Sequence, residues 1–329
     1  LQSNTTGSYN SAFGVGALQA NTTASNNTAV GYQAAYSNTT SNGVTAVGYK
    51  AAYASTNGTN SAFGREALAA EASGSQNTAL GNYNLLLQNG ASNNTAVGYS
   101  VMTSNTTGSQ NTATGTQAFA YNTTGDGNTG SGYRVLYSNT TGGANVAIGQ
   151  QALYSNTTAS YNTAVGYQAG YSNTTGSVTA LGAFAAYSNS TGEAIVAIGS
   201  SALRSTTVSD NTAVGYAAGY STTTGVYNTF MGGRSSTNIA TGQNNTTGSY
   251  NSAFGHGALA SNTTASYGTA VGYQAAYSNT TSNGVTAVGY KAAYASTNGT
   301  NSAFGREALA AEASGSQRSE EHTSELQSH

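Results

Sequence analysis

A 329-residue chain with 5% charged residues and no proline, cysteine or tryptophan cannot be a disulfide framework or hold a thiolate metal site. Glycine (43) and tyrosine (24) are abundant, and a 37% hydrophobic share without proline or high net charge separates it from disordered chains. The formal charge of −2 comes entirely from residues 318–329; residues 1–317 balance seven basic against seven acidic side chains, leaving no footprint for nucleic acid or an anionic membrane surface.

From the N-terminus, Ser11-Ala12-Phe13-Gly14 is the first of eighteen tetrads of the form Thr/Ser-Ala-apolar-Gly. The tetrad glycines run from Gly14, Gly31, Gly48 and Gly64 to Gly215 and Gly232, then to Gly255, Gly272, Gly289 and Gly305. They stand 16 or 17 residues apart, except for an interval of 23 between Gly232 and Gly255. The residue before the glycine is apolar in sixteen units, with Thr114 and Ser131 the departures. The one before that is Ala in sixteen, broken by Gly130 and Phe230. A second small apolar pair follows, as at Ala17-Leu18 and Ala152-Leu153, and an Asn/Thr/Ser/Gly run closes each unit.

Each tetrad reads as a short strand and each polar run as a turn. A unit this small cannot bury a core alone, so units must stack and pair equivalent strands in parallel. The predicted fold is all-β: a parallel β-solenoid of about eighteen coils, near 85 Å long at a spacing of about 4.8 Å. Proline is absent because every strand is central in its ladder. Alternation places Val30 and its equivalents on one face and Ala29 and its equivalents on the other. The larger apolar row is expected inside the coil and the Ala row outside. An outward Ala row suits close packing between copies of the chain, so a homo-oligomer is expected; a folded monomer of residues 1–317 in light scattering would contradict it.

The units Asn145 to Gly149 (NVAIG) and Ile195 to Gly199 (IVAIG), among NTAVG and NSAFG variants, resemble the head repeats of YadA-type trimeric autotransporter adhesins. Similar arrays occur in phage tail-fibre-like proteins. The resemblance covers residues 4–317 and is specific for repeat type, not for role. It implies a left-handed β-roll, a homotrimeric rod, an extracellular place on a bacterial surface or a virion, and attachment to a host protein or glycan. Handedness comes from the resemblance alone, since parallel crossovers default to right-handed. The units are longer than the family's, and neck, stalk, anchor and chaperone domains are missing from the chain.

Side chains for catalysis are sparse, and no enzyme, cofactor or metal site is expected. His256, which replaces the Val15 of an earlier unit, reads as an exposed substitution. Asp126-Gly127-Asn128 occurs once, whereas a calcium solenoid would repeat its Asp in every coil. The glycines Gly14 and Gly16 lack the rest of a dinucleotide fingerprint. Arg65-Glu66 and Arg306-Glu307 read as one solvated pair in two copies. NTT triplets fit the glycosylation pattern, but turn preference accounts for them. Tyr32, Tyr49, Tyr99, Tyr167, Tyr216, Tyr273 and Tyr290 each follow an anchor glycine and predict a discontinuous ladder, either stacking between coils or a binding surface. Thr at the first strand position of twelve units raises ice binding as a minor reading, weakened by the apolar residue two positions on.

Residues 1–317 thus form one repeat array with an irregular segment at 233–245, and residues 245–317 repeat residues 4–76 with five differences. The run RSEEHTSELQS matches the translation of a common sequencing adapter, so residues 318–329 are read as adapter sequence in an assembled metagenomic contig. The function expected is a non-enzymatic adhesin head segment that presents a binding surface without contacting the membrane itself. A phage or phage-like tail-fibre segment is the second reading.

Overall fold

Three strand residues followed by a glycine leave the chain one way to turn: the anchor glycines all adopt φ between +112° and +146°. A Cβ on Gly31 would stand 2.5 Å from the carbonyl oxygen of Gly48 in the next coil, so conformation and stacking both demand glycine there. The computed structural model describes residues 1–234, 239–297 and 299–311, and the backbone of 319–321. The chain divides into two compact units, Leu1–Asn162 and Thr163–His329, and each is a parallel β-solenoid.

In the first unit one strand per coil builds the ladder: β1 (Ser11–Phe13), β2 (Thr28–Val30), β3 (Thr45–Val47), β4 (Ser61–Phe63), β5 (Thr78–Leu80), β6 (Thr95–Val97), β7 (Thr112–Thr114), β8 (Thr129–Ser131) and β9 (Val146–Ile148). Pairing is parallel and strictly positional. Ser11 faces Thr28, Ala12 faces Ala29 and Phe13 faces Val30, and the same register continues to Thr129↔Val146. The second unit repeats the plan in β10 (Thr163–Val165), β11 (Val178–Leu181), β12 (Ile195–Ile198), β13 (Thr212–Val214), β14 (Thr229–Met231), β15 (Ser252–Phe254), β16 (Thr269–Val271), β17 (Thr286–Val288) and β18 (Ser302–Phe304). The 23-residue interval adds chain after Gly232 without interrupting the ladder, since Thr229 still pairs Ser252 and Met231 pairs Phe254.

The backbone of β19 (Ser319–Glu321) adds one more rung, with Glu320 at the register position of Ala303. The remainder of the segment read as adapter sequence, and residues 312–317 before it, lie outside the described residues.

The faces are the reverse of the expectation. Ala29, Ala46, Ala147 and Ala197 are fully buried, while the larger apolar residues point outward: Phe13 is 78% exposed, Leu80 49% and Ile148 44%. The reason is width. Strand Ala, the apolar pair and two columns of Asn share the interior, so the strand contributes no more than a methyl group. The two exceptions show the limit. A Cβ built on Gly130 would overlap the ring of Phe119, and fully buried Phe230 occupies the space left by Gly219 and Gly242. A large residue enters only where a glycine vacates its place.

The asparagines form the polar half of the core. Seven residues after the anchor glycine, Asn105, Asn122, Asn139 and Asn156 are fully buried. Asn122 Nδ2 donates to Asn105 Oδ1 at 2.8 Å and to the Gly125 carbonyl at 3.0 Å, and Asn139 Nδ2 donates to Asn122 Oδ1 at 2.7 Å. A second column precedes each strand, where Asn145 Nδ2 reaches Asn128 Oδ1 at 3.0 Å and the Ala159 carbonyl at 3.0 Å. The second unit has the same ladders, as in Asn262 to Asn245 at 2.7 Å. Asn122 both donates and accepts along its column, so burial leaves its polar atoms bonded, whereas Oδ1 of Asn21, Asn262 and Asn301 and Nδ2 of Asn27 are buried without a partner. An Asn buried and bonded in this way offers no glycan acceptor, so these NTT triplets are structural.

Candidate functional site

Behind β1–β13 and β15–β18 the chain makes two left-handed residues in close succession, two and four positions after the anchor glycine. In one coil Lys50 has φ +53° and Ala52 φ +49°. The bend turns the residue at position four inward to the core. The residues at positions one, two and five line the surface as three parallel columns.

The predicted tyrosines fill the first column. Tyr32 and Tyr49 stack at 5.4 Å between centroids, 10° from parallel. Tyr99 meets Tyr83 edge-on at 5.9 Å. In the second unit Tyr167 meets Phe184 edge-on at 5.1 Å, and Tyr273 lies between His256 at 5.2 Å and Tyr290 at 5.3 Å. Among the described residues Tyr216 has no ring neighbour, because Ser200 and Gly233 flank it in its column. Apart from Tyr216 these rings each contact a neighbouring ring, stacked or edge-on, and all are 37–49% exposed, so the ladder covers the core edge and faces solvent. His256 is half-buried instead of exposed, with both ring nitrogens shielded and unbonded, because it fills a place in this stack.

A second tyrosine column escaped the sequence reading. Tyr36–Tyr53 stack at 5.2 Å and Tyr137–Tyr154 at 5.1 Å in the first unit; Tyr171–Tyr187 and Tyr277–Tyr294 both stack at 5.1 Å in the second. Its signal is the spacing Tyr-x-x-x-Tyr after the anchor glycine, as in Tyr32/Tyr36 and Tyr290/Tyr294. In the turn before the strand, Tyr227, Tyr250 and Tyr267 form a further stack at 5.0 and 5.1 Å.

Between the first two columns lie the cations. Lys50 Nζ is 5.5 Å from the Tyr49 centroid and 5.4 Å from that of Tyr53. Arg134 sits 5.1 and 5.2 Å from Tyr133 and Tyr137, and Lys291 5.5 and 5.3 Å from Tyr290 and Tyr294. Arg65, Arg204, Arg234 and Arg306 also lie over aromatic rings, so all seven basic residues of residues 1–317 belong to this aromatic surface. Of the acids, Glu66 and Glu307 join it, 3.6 Å from Arg65 and 4.0 Å from Arg306. Glu71 is instead buried in the Asn column and accepts from the backbone N–H groups of Ser73, Gly74 and Gly90 and from Gln88 Nε2. Asp126 accepts from the Ser109 N–H in the turn before the strand. The balanced charge of the sequence therefore resolves into a cationic aromatic face in each unit.

No family model, curated protein or solved structure matches this chain. Among the described residues no three His, Asp or Glu side chains gather as metal ligands do.

Packing also tunes the phenols. The hydrogen bond with Tyr121, and after it burial, raises the Tyr137 phenol above its ordinary value of 10.0; burial, and then the neighbouring Tyr294, does the same for Tyr277. Both shifts favour the neutral form in the fold. Their stabilisation is complete below pH 10 and is lost as pH rises past it and the folded phenols ionise. The melting temperature of the chain is expected to fall through that window, and Tyr277→Phe to make the fall shallower. An unchanged alkaline slope in Tyr277→Phe would remove Tyr277 as a contributor.

Proposed function

We propose that the chain is a non-enzymatic segment of a surface rod, an adhesin head in the first reading, that associates with copies of itself and presents its cationic aromatic face for attachment. The observation that carries this is the outward apolar row. In the first unit Phe63, Leu80 and Ile148, and in the second Met231, Phe254 and Phe304, are each more than a third exposed on one face of a ladder of short strands. A water-soluble monomer gains nothing from such a row, whereas a trimer buries it once per coil. The resemblance to YadA-type head repeats points the same way. A phage or phage-like tail fibre would use the same geometry; the sequence that follows in the genome separates the two.

Light scattering of the chain is expected to give a multiple of the 32.8 kDa monomer, most simply three. Leu80→Asp with Ile148→Asp is expected to shift it toward monomer with the circular dichroism spectrum retained. A folded monomer for the unsubstituted chain would overturn self-association. The outward face also carries the Thr row beside the apolar row, one of the two Thr ranks that an ice-binding sheet would need. Thermal hysteresis by a monomeric chain would favour that reading instead.

A further inference from the structure

The cationic face of the second unit is hollow at one place, across three successive coils. There the position-two column carries Ser201 and Ala217, and the position-one column carries Gly233, three small residues in successive coils where most other coils place larger ones such as Gln, Lys, Arg or Tyr. The missing side chains leave a cleft of about 340 Å³, walled by Tyr216 and Tyr220 and closed by Arg204, Arg234 and Gln243. The longer interval after Gly232 brings in the last two. Gln243 stands where the tyrosine of the fifth-position column would otherwise be, since Ser221 N–H bonds the Gln243 carbonyl at 3.0 Å just as Ser205 N–H bonds that of Tyr220.

Every polar group turned to this cleft can donate. Arg204 is held over Phe184 at 4.7 Å, and its Nη1 is 3.5 Å from the Tyr220 hydroxyl; Arg234 lies 5.3 Å from the Tyr216 centroid, with Nη1 3.3 Å from that hydroxyl. Among the described residues the ion pairs are Arg65–Glu66 and Arg306–Glu307, so neither cleft arginine is matched by a carboxylate. Each guanidinium carries five N–H donors and spends one on a phenol. Gln243 Oε1 accepts the Ala240 N–H at 2.8 Å, which leaves its NH₂ free to donate. Two guanidinium forks, an amide NH₂ and the Ser201 hydroxyl thus converge where no carboxylate of the described residues answers them. Beside them Tyr216 has Arg234 over its ring and no stacked ring among the described residues.

We propose that this cleft binds an acidic saccharide. One sugar-ring oxyanion, carboxylate or sulfate, would engage Arg204 and Arg234 while the ring lies against Tyr216. The volume suits one or two sugar units. Single-stranded nucleic acid fits less well, because on the rest of this face the tyrosine faces are occupied by one another and unavailable to successive bases. The inference goes beyond the attachment reading, since the cleft is built within one chain and does not require association.

Isothermal titration of the full chain with oligogalacturonate, a sulfated galactose oligomer, a neutral galactose oligomer and a single-stranded DNA oligomer tests it. One or both acidic saccharides are expected to bind, their ranking identifying the oxyanion, and the neutral oligomer at least tenfold more weakly. Arg204→Gln and Arg234→Gln should each weaken binding tenfold or more, and Arg204→Lys, which keeps the charge but loses the fork, should also weaken it. Arg65→Gln should leave it unchanged. Melting curves check that the variants fold, and light scattering on the same samples reports association separately. Equal binding of the neutral oligomer, preference for DNA, no acidic saccharide bound, or equal loss in Arg65→Gln would each overturn the proposal.

Discussion

Asn122→Asp is expected to destabilise the first unit by about 3–5 kcal/mol at neutral pH, although it exchanges one NH₂ for one oxygen. Asn122 is fully buried and donates to two acceptors, Asn105 Oδ1 at 2.8 Å and the Gly125 carbonyl at 3.0 Å. A carboxylate in its place can still accept from Asn139 Nδ2, but it turns negative charge on two oxygens that have lost their donor. Protonation restores one donor, so the folded carboxyl titrates above the unfolded value of about 3.9. With that sign the ionisation penalty is absent below about pH 4, where only the cost of the one unrestored donor remains, and it grows as pH rises until the carboxyl ionises in the fold. Paired thermal melts of variant and parent at pH 4 and pH 7 check it, and hydrogen exchange should place the loss in the coils around Asn105 and Asn139. A variant that melts with the parent at pH 7 would show that the amide column is not a structural spine.

That column was only partly legible in the sequence. The period, the anchor glycines and the strand positions could all be read from residues: Ser61-Ala62-Phe63-Gly64 announces a strand, and Ser61–Phe63 is one. Asn suggests turns on propensity alone, and its inward direction emerges only when the stacked coils turn equal positions into a column whose members bond one another. The reversed strand faces have a related cause. Alternation separates two faces but does not say how wide the interior is, and size favours placing Val30 inside over Ala29. The exceptions held the answer, because Phe230 and Gly130 break the Ala row only where partners of opposite size face them.

The aromatic surface was half visible. The first tyrosine column follows from its place beside the anchor glycines. The second needed the Tyr-x-x-x-Tyr spacing to be combined with the left-handed bend that brings positions one, two and five side by side. Net charge concealed the cations altogether. Seven bases and seven acids cancel in a count, while the fold sets the bases among tyrosines and sends Glu71 inside and Asp126 to the other turn. The cleft likewise depends on three small residues, Ser201, Ala217 and Gly233, in three different coils, which a linear reading has no reason to join.

Phe230→Ala is expected to cost the second unit about 3–5 kcal/mol, the range for an aromatic side chain removed from a packed interior. Its ring is fully buried and fills space that Gly219 and Gly242 leave open. The sharper test adds the partners. With Phe230 present, Gly219→Ala places a Cβ 2.7 Å from Cδ2 of the ring and should destabilise by about 1–3 kcal/mol. With Phe230→Ala the same methyl group enters a cavity, and the Leu203 Cδ2 that stands 2.9 Å from it gains room to withdraw. The left-handed backbone is no obstacle, since Gly219 has φ +61° and its equivalents Ala35 and Ala186 adopt +47°. Gly219→Ala should therefore change sign between the two backgrounds, a coupling of at least about 1 kcal/mol in a double-mutant cycle. Additive effects would mean that the interior relaxes around the ring, and that its width does not select Ala for the strands. A reversed sign would tie the buried Ala row and the outward row of larger apolar residues to one cause, the space available inside a 16- or 17-residue coil.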